Sequence, residues 1–95
     1  MNKYELTLVL NPNLEEESCK AEFDKIQAEI VRFGGAVEKV DEWGRRRLAY
    51  EIEKLSEGIY YIVSFDGEAS TPREVENRLR INENVLRFLI VRIDN

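Results

Sequence analysis

Ile59-Tyr60-Tyr61-Ile62-Val63-Ser64-Phe65-Asp66 decides how this chain folds. In an extended segment Ile59, Tyr61, Val63 and Phe65 share one side and Tyr60, Ile62, Ser64 and Asp66 the other, so apolar residues fall on both faces. Such a strand belongs inside a sheet and needs a neighbour on each flank. Residues 54–58 read as a hairpin turn, which makes the β-prone stretch 36–53 the first neighbour. Gly44 interrupts that stretch and predicts a bend or bulge. Beyond it Arg46, Leu48, Tyr50 and Ile52 share a face. The other neighbour is residues 3–10, where Tyr4, Leu6, Leu8 and Leu10 alternate with Glu5, Thr7 and Val9.

Helices separate these strands. Asn13 followed by Glu16 has the layout of a helix cap, Glu15 to Glu17 suit the positive end of a helix dipole, and Cys19, Phe23, Ile26, Ile30 and Phe33 form one apolar stripe. Gly34-Gly35 supplies a left-handed stop. Thr71-Pro72-Arg73-Glu74 combines a capping hydroxyl, an early proline and a third-position glutamate, the strongest helix start in the chain. Val75 and Leu79 then point inward. Asn82-Glu83-Asn84 ends that helix, and residues 85–93 make a last strand. The order is βαββαβ: an α+β, ferredoxin-like fold with two helices on one face of a four-stranded antiparallel sheet. Right-handed crossovers put the first and third strands in the centre and the second and fourth at the edges.

Ninety-five residues, 43% hydrophobic and 35% charged, are enough for one globular domain, residues 1–95, and too apolar for disorder. The longest apolar runs are far from the roughly 20 residues of a membrane span, so no membrane partner is expected. The amino terminus lacks the pattern of a secretory signal, and secretion is not expected either. With no histidine and a single cysteine, Cys19, neither a zinc cage nor a histidine-based active site has its parts. No catalytic residue, metal or cofactor is expected, and Cys19 reads as a packing residue.

The net charge of −5 argues against nucleic acid until it is divided along the chain. Residues 1–43 carry five Lys or Arg against ten acids, whereas residues 44–95 carry nine of each. Eight of those nine cations are Arg, the residue suited to phosphate forks and stacked contacts.

If the helices cover Leu6, Leu8, Tyr61, Val63, Phe88 and Ile90, the opposite face shows Thr7, Val9, Tyr60, Ile62, Arg87, Leu89, Val91 and Ile93. That face is too apolar for water alone and reads as a partner surface. With Tyr60 its only aromatic, it fits a protein better than bases. The alternatives are that part of the chain folds over the patch, or that the strand parity slips near Gly44. One end of the sheet collects residues 11–13, the Lys54 turn, Arg80, Asn82 and Asn84; the other collects Lys3, Arg73 and Arg92. Either end could hold phosphates. Arg45-Arg46-Arg47 lies on an edge strand, where charge also blocks unwanted strand pairing.

Gly44-Arg45-Arg46-Arg47-Leu48-Ala49-Tyr50-Glu51-Ile52 resembles the signature of the bacterial small-subunit ribosomal protein number six family. Tyr4-Glu5, the run Val9-Leu10-Asn11-Pro12-Asn13-Leu14, Val37-Glu38-Lys39-Val40, Leu79-Arg80-Ile81 and Asn84-Val85-Leu86-Arg87 extend the resemblance over essentially the whole chain. Glu53 departs from it, standing where a basic or small polar residue is usual. The resemblance implies a non-enzymatic cytoplasmic protein of the ribosome. It implies binding to the central domain of small-subunit ribosomal RNA, cooperatively with ribosomal protein number eighteen of that subunit. The basic partner would then supply much of the phosphate neutralisation. On this reading Lys3, Lys54, Arg73, Arg80, Arg87 and Arg92 are the RNA-contact candidates, and Arg45, Arg46, Arg47, Tyr50, Tyr60, Ile62 and Leu89 the partner-contact candidates. No small-molecule substrate is implied.

Three rivals share the topology. An RNA-recognition motif needs outward aromatics in pairs, and Glu57-Gly58-Ile59-Tyr60-Tyr61-Ile62-Val63 lacks them. An acylphosphatase-like enzyme needs a glycine-rich phosphate loop that Asn11-Pro12-Asn13-Leu14 cannot make. A small-ligand regulatory domain dimerising through its sheet predicts ligand-induced stabilisation without RNA.

Overall fold

The doubly apolar segment 59–66 does lie inside the sheet. In the computed structural model, which describes residues 1–93, the elements are β1 (Asn2–Leu10), α1 (Glu16–Arg32), β2 (Ala36–Ile52), β3 (Leu55–Gly67), α2 (Thr71–Arg80) and β4 (Val85–Arg92). Asp94 and Asn95, the end of the expected domain, lie outside the described residues. The strand order is β2-β3-β1-β4, with β1 antiparallel to both β3 and β4 and β2 antiparallel to β3.

The two faces divide as the alternation predicts. Tyr4, Leu6, Leu8 and Leu10 of β1 and Tyr61, Val63 and Phe65 of β3 are buried with Cys19, Phe23, Ile26 and Ile30 of α1 and Val75 and Leu79 of α2. Phe88 and Ile90 close this core from β4. Phe23 stacks on Tyr61 at 3.9 Å between ring centroids, so α1 is keyed to the central strand by an aromatic pair. The Tyr61 hydroxyl lies 3.4 Å from Cys19 Sγ, and burial, reinforced by that contact, holds its pKa well above the usual value near 10.

Local details differ from the sequence reading, each for a backbone reason. Ile52 pairs with Leu55, so the hairpin turn is Glu53-Lys54 alone and not residues 54–58. Their φ angles of 51° and 66° are the left-handed pair that a two-residue hairpin needs. Asn13 does not cap α1. Its N–H donates to Asn11 Oδ1 at 2.9 Å, and Leu14 N–H donates to the Asn11 carbonyl at 3.2 Å. This Asx turn absorbs the chain reversal, and the helix starts at Glu16 with no side-chain cap. Gly34, at φ 90°, does end α1, with Gly35 N–H bonded to the Ile30 carbonyl at 2.8 Å. Thr71 is not a cap either. It is fully buried, and its Oγ1 donates to the Phe33 carbonyl at 2.8 Å, tying the start of α2 to the end of α1. The last strand ends at Arg92, one residue short of residue 93, although Ile93 N–H still donates to the Lys3 carbonyl at 2.9 Å.

Candidate partner and nucleic-acid interface

The face away from the helices takes its shape from β2. Its pairing with β3 shifts between Glu42 and Gly44, where Gly44 adopts φ 72°, so the bulge expected at this glycine is present. A larger irregularity follows: pairing passes from Arg47↔Glu57 to Ile52↔Leu55, five positions along β2 against two along β3. The excess length bends the hairpin over the open face. Leu48 is buried there, and a Cβ added to Gly58 would collide with Val9 Cγ1 and reach 3.6 Å from Leu48 Cδ2. Val9 is consequently only 2% exposed although it lies on the open face. Part of the chain thus folds over the patch at Val9, and the parity of β2 does slip at Gly44: Val40 and Glu42 stand opposite Val63 and Tyr61 of the core side, Gly44 and Arg46 opposite Tyr60 and Gly58 of the open face.

The rest of the face stays open. Ile62 pairs with Thr7, and Thr7 with Leu89, giving one row across three strands; Leu89 is 59% exposed, and Val91 and Ile93 continue the exposed apolar surface along β4. Tyr60, half-buried, stands opposite Val9 and Gly44. Thr7, Val9, Tyr60, Arg87, Phe88 and Leu89 line a hollow of about 230 Å³. Tyr61 points into the core instead, so the paired outward aromatics of an RNA-recognition motif are absent from this strand.

Two arginines frame the face, each held by an aromatic residue. Arg46 Nε donates to the Trp43 carbonyl at 3.1 Å with the guanidinium 5.6 Å from the indole centroid. Arg87 Nη1 donates to Tyr50 Oη at 2.8 Å with the guanidinium 5.5 Å from that ring. Among the described residues neither has a carboxylate partner, so both charges remain available. The sequence reading assigned Tyr50 to the protein partner and Arg87 to RNA; the curled hairpin brings them into contact. It also passed over Trp43, 52% exposed and next to the bulge glycine. A large aromatic before a glycine on an edge strand is the signal that could have found it.

The remaining candidates disperse. Lys3 is engaged by Glu38 at 3.0 Å and Asp66 at 3.3 Å, which raise its pKa, the Glu38 hydrogen bond most. Arg92 ends β4 at the same end of the sheet, and Arg73 is exposed in the first turn of α2. At the other end Lys54 is exposed in the turn, while Arg80 meets Asn77 at 3.4 Å and Glu76 at 3.9 Å. In the basic triplet Arg45 is drawn to the helix side, donating to the Pro12 carbonyl at 3.1 Å and lying 3.6 Å from Glu57, whereas Arg47 is exposed. A larger hollow of about 580 Å³ lies between α1 and the end of α2, but its charges answer one another, with Arg78 3.5 Å from Glu29. Among the described residues there is no acid or cysteine cluster able to hold a metal, and no helix is long and apolar enough to cross a membrane.

Comparison with known proteins agrees with this geometry. A sequence model described as ribosomal protein S6 matches residues 3–92. The small ribosomal subunit protein bS6 of Clostridium acetobutylicum is 45% identical over 94 residues, covering 99% of each chain. That of Alkaliphilus oremlandii is 46% identical over 94 residues, again covering 99% of each. The crystal structure of 30S ribosomal protein S6 from Thermotoga maritima superposes with a TM-score of 0.90 at 29% identity, over 97% of this chain and 87% of that one. From its signature stretch to its strand order, the chain belongs to the ribosomal protein S6 family, non-enzymatic proteins of the small ribosomal subunit.

Proposed function

We propose that this chain enters the small subunit as one half of a heterodimer with ribosomal protein number eighteen, and that the pair binds the central domain of the ribosomal RNA. The observation that carries the reading is the open sheet face: Leu89 exposed and Ile62 and Tyr60 half-buried beside Arg46 and Arg87, whose charges no carboxylate answers among the described residues. An apolar surface rimmed by arginine and aromatic side chains is what a protein interface uses. In this reading Tyr60, Ile62 and Leu89 form the centre of the protein contact, with Tyr50 and Arg45 to Arg47 on the hairpin side. Phosphates fall to Arg87, Lys54, Arg80, Arg73, Arg92 and Lys3. Lys3 must first give up two carboxylates, so it contributes least.

The test is Ile62→Asp, measured as heterodimer formation by calorimetry. Ile62 faces away from the core, so the variant folds and fails to pair; unchanged pairing places the partner elsewhere. For RNA, replacing one phosphate-contacting arginine lowers affinity and flattens the log–log salt dependence by about one unit. An unaltered slope for every candidate cation removes the RNA assignment.

A further inference from the structure

We propose that Tyr50 is a positioning residue: it presents Arg87 to the RNA. The inference rests on the reading above that Arg87 contacts phosphate, and adds how that contact is prepared. Arg87 lies on the edge strand β4, where an arginine is a long side chain free to sweep through solvent. Tyr50 comes from the opposite edge of the sheet, brought across the face by the surplus residues of β2 between Arg47 and Ile52. It meets Arg87 in two ways at once, through the 2.8 Å bond from Nη1 to the phenol oxygen and through the ring 5.5 Å beneath the guanidinium. Both contacts are neutral. A carboxylate in that place would fix the side chain equally well but cancel its charge, as Glu38 and Asp66 do for Lys3. A phenol fixes the plane of the guanidinium and leaves its charge, and the donors not used on Tyr50, for a phosphate fork. Part of the rotamer freedom that a phosphate contact would otherwise remove is surrendered on folding. Tyr50 is itself 60% exposed, so its ring is not there to fill the core.

The experiment is a double-mutant cycle on the assembled pair. Binding to a central-domain fragment of small-subunit ribosomal RNA is measured across a salt series, with ribosomal protein number eighteen at saturation, for Tyr50→Phe, Arg87→Ala and the double variant. Arg87→Ala reduces affinity about tenfold and lowers the salt slope by about one. Tyr50→Phe keeps the ring and loses the hydrogen bond, so it reduces affinity about threefold to tenfold. In the Arg87→Ala background Tyr50→Phe has no further effect, because nothing is left to orient. Unchanged affinity for Tyr50→Phe beside a damaging Arg87→Ala overturns the positioning role alone. An equal loss from Tyr50→Phe in both backgrounds also overturns it, since a residue that merely shapes the hairpin or touches the partner behaves that way. If Arg87→Ala changes neither affinity nor slope, Arg87 leaves the RNA site and the assignment on which this inference rests fails with it.

Discussion

Gly58 shows how much one missing side chain decides. It sits on β3 beneath the curled hairpin, with Val9 Cγ1 where its Cβ would be and Leu48 just beyond, so the hairpin can lie flat on the sheet only if this position has no side chain. Gly58→Ala forces Val9 or Leu48 aside and destabilises the fold by about 1–3 kcal/mol, measured by urea unfolding. A second residue-scale consequence concerns Tyr61. Burial raises its pKa, so between the ordinary value near 10 and its raised folded value the native state keeps a proton that the unfolded chain has lost. The sign follows: the contribution of Tyr61 is intact below pH 10 and is lost as the pH climbs through that alkaline window. Spectrophotometric titration of the native chain beside Tyr61→Phe is expected to show that the variant lacks a component ionising at markedly raised pH; a difference curve centred at the ordinary phenol value contradicts the burial argument. The inward and outward placement of these residues was legible from alternation alone. The role of Thr71 was not, because a threonine before proline and glutamate looks like a cap, and only the tertiary approach of Phe33 gives its hydroxyl a better acceptor.

At the scale of elements, the β2–β3 hairpin carries most of what is particular to this molecule. Its turn holds Glu53 and Lys54 in left-handed backbone, a conformation in which non-glycine residues cost about 1–2 kcal/mol each and for which Asn-Gly is the favoured pair. Replacing Glu53 by Asn and Lys54 by Gly therefore stabilises the chain by about 1 kcal/mol and raises the melting temperature by about 4–8 °C. A lowered melting temperature would mean that the two side chains make stabilising contacts worth more than the strain. The bulge at Gly44 could be read from the sequence, since a glycine in a β-prone run has few other uses. The surplus between Arg47 and Ile52 could not. Register is a relation between two strands, and nothing within Leu48-Ala49-Tyr50-Glu51 states how many residues of β3 will lie opposite it. The Tyr50–Arg87 contact inherits that invisibility, which is why two residues assigned to different partners turned out to be neighbours. The helix start was misplaced for a related reason: the side chain of Asn11, not that of Asn13, organises the turn before α1.

Taken whole, the molecule is acidic, and its net negative charge resides in the first 43 residues, where ten acids face five cations. Three of those acids, Glu16, Glu17 and Asp24, are exposed on α1, on the far side of the sheet from Arg46 and Arg87. A chain of net charge −5 gains little from general attraction to a polyanion, and the proposed function therefore has its local arginines act with a basic companion to hold RNA. In the proposed function the apolar sheet face takes that companion, and cooperativity would follow because each partner supplies what the other lacks. The most direct test is the affinity of the purified chain for a central-domain fragment of small-subunit ribosomal RNA, measured at one fixed salt concentration with and without ribosomal protein number eighteen. We expect weak binding alone and at least a hundredfold tightening, about 2.7 kcal/mol of coupling, when the companion is present. Equal affinity in the two conditions would contradict the account.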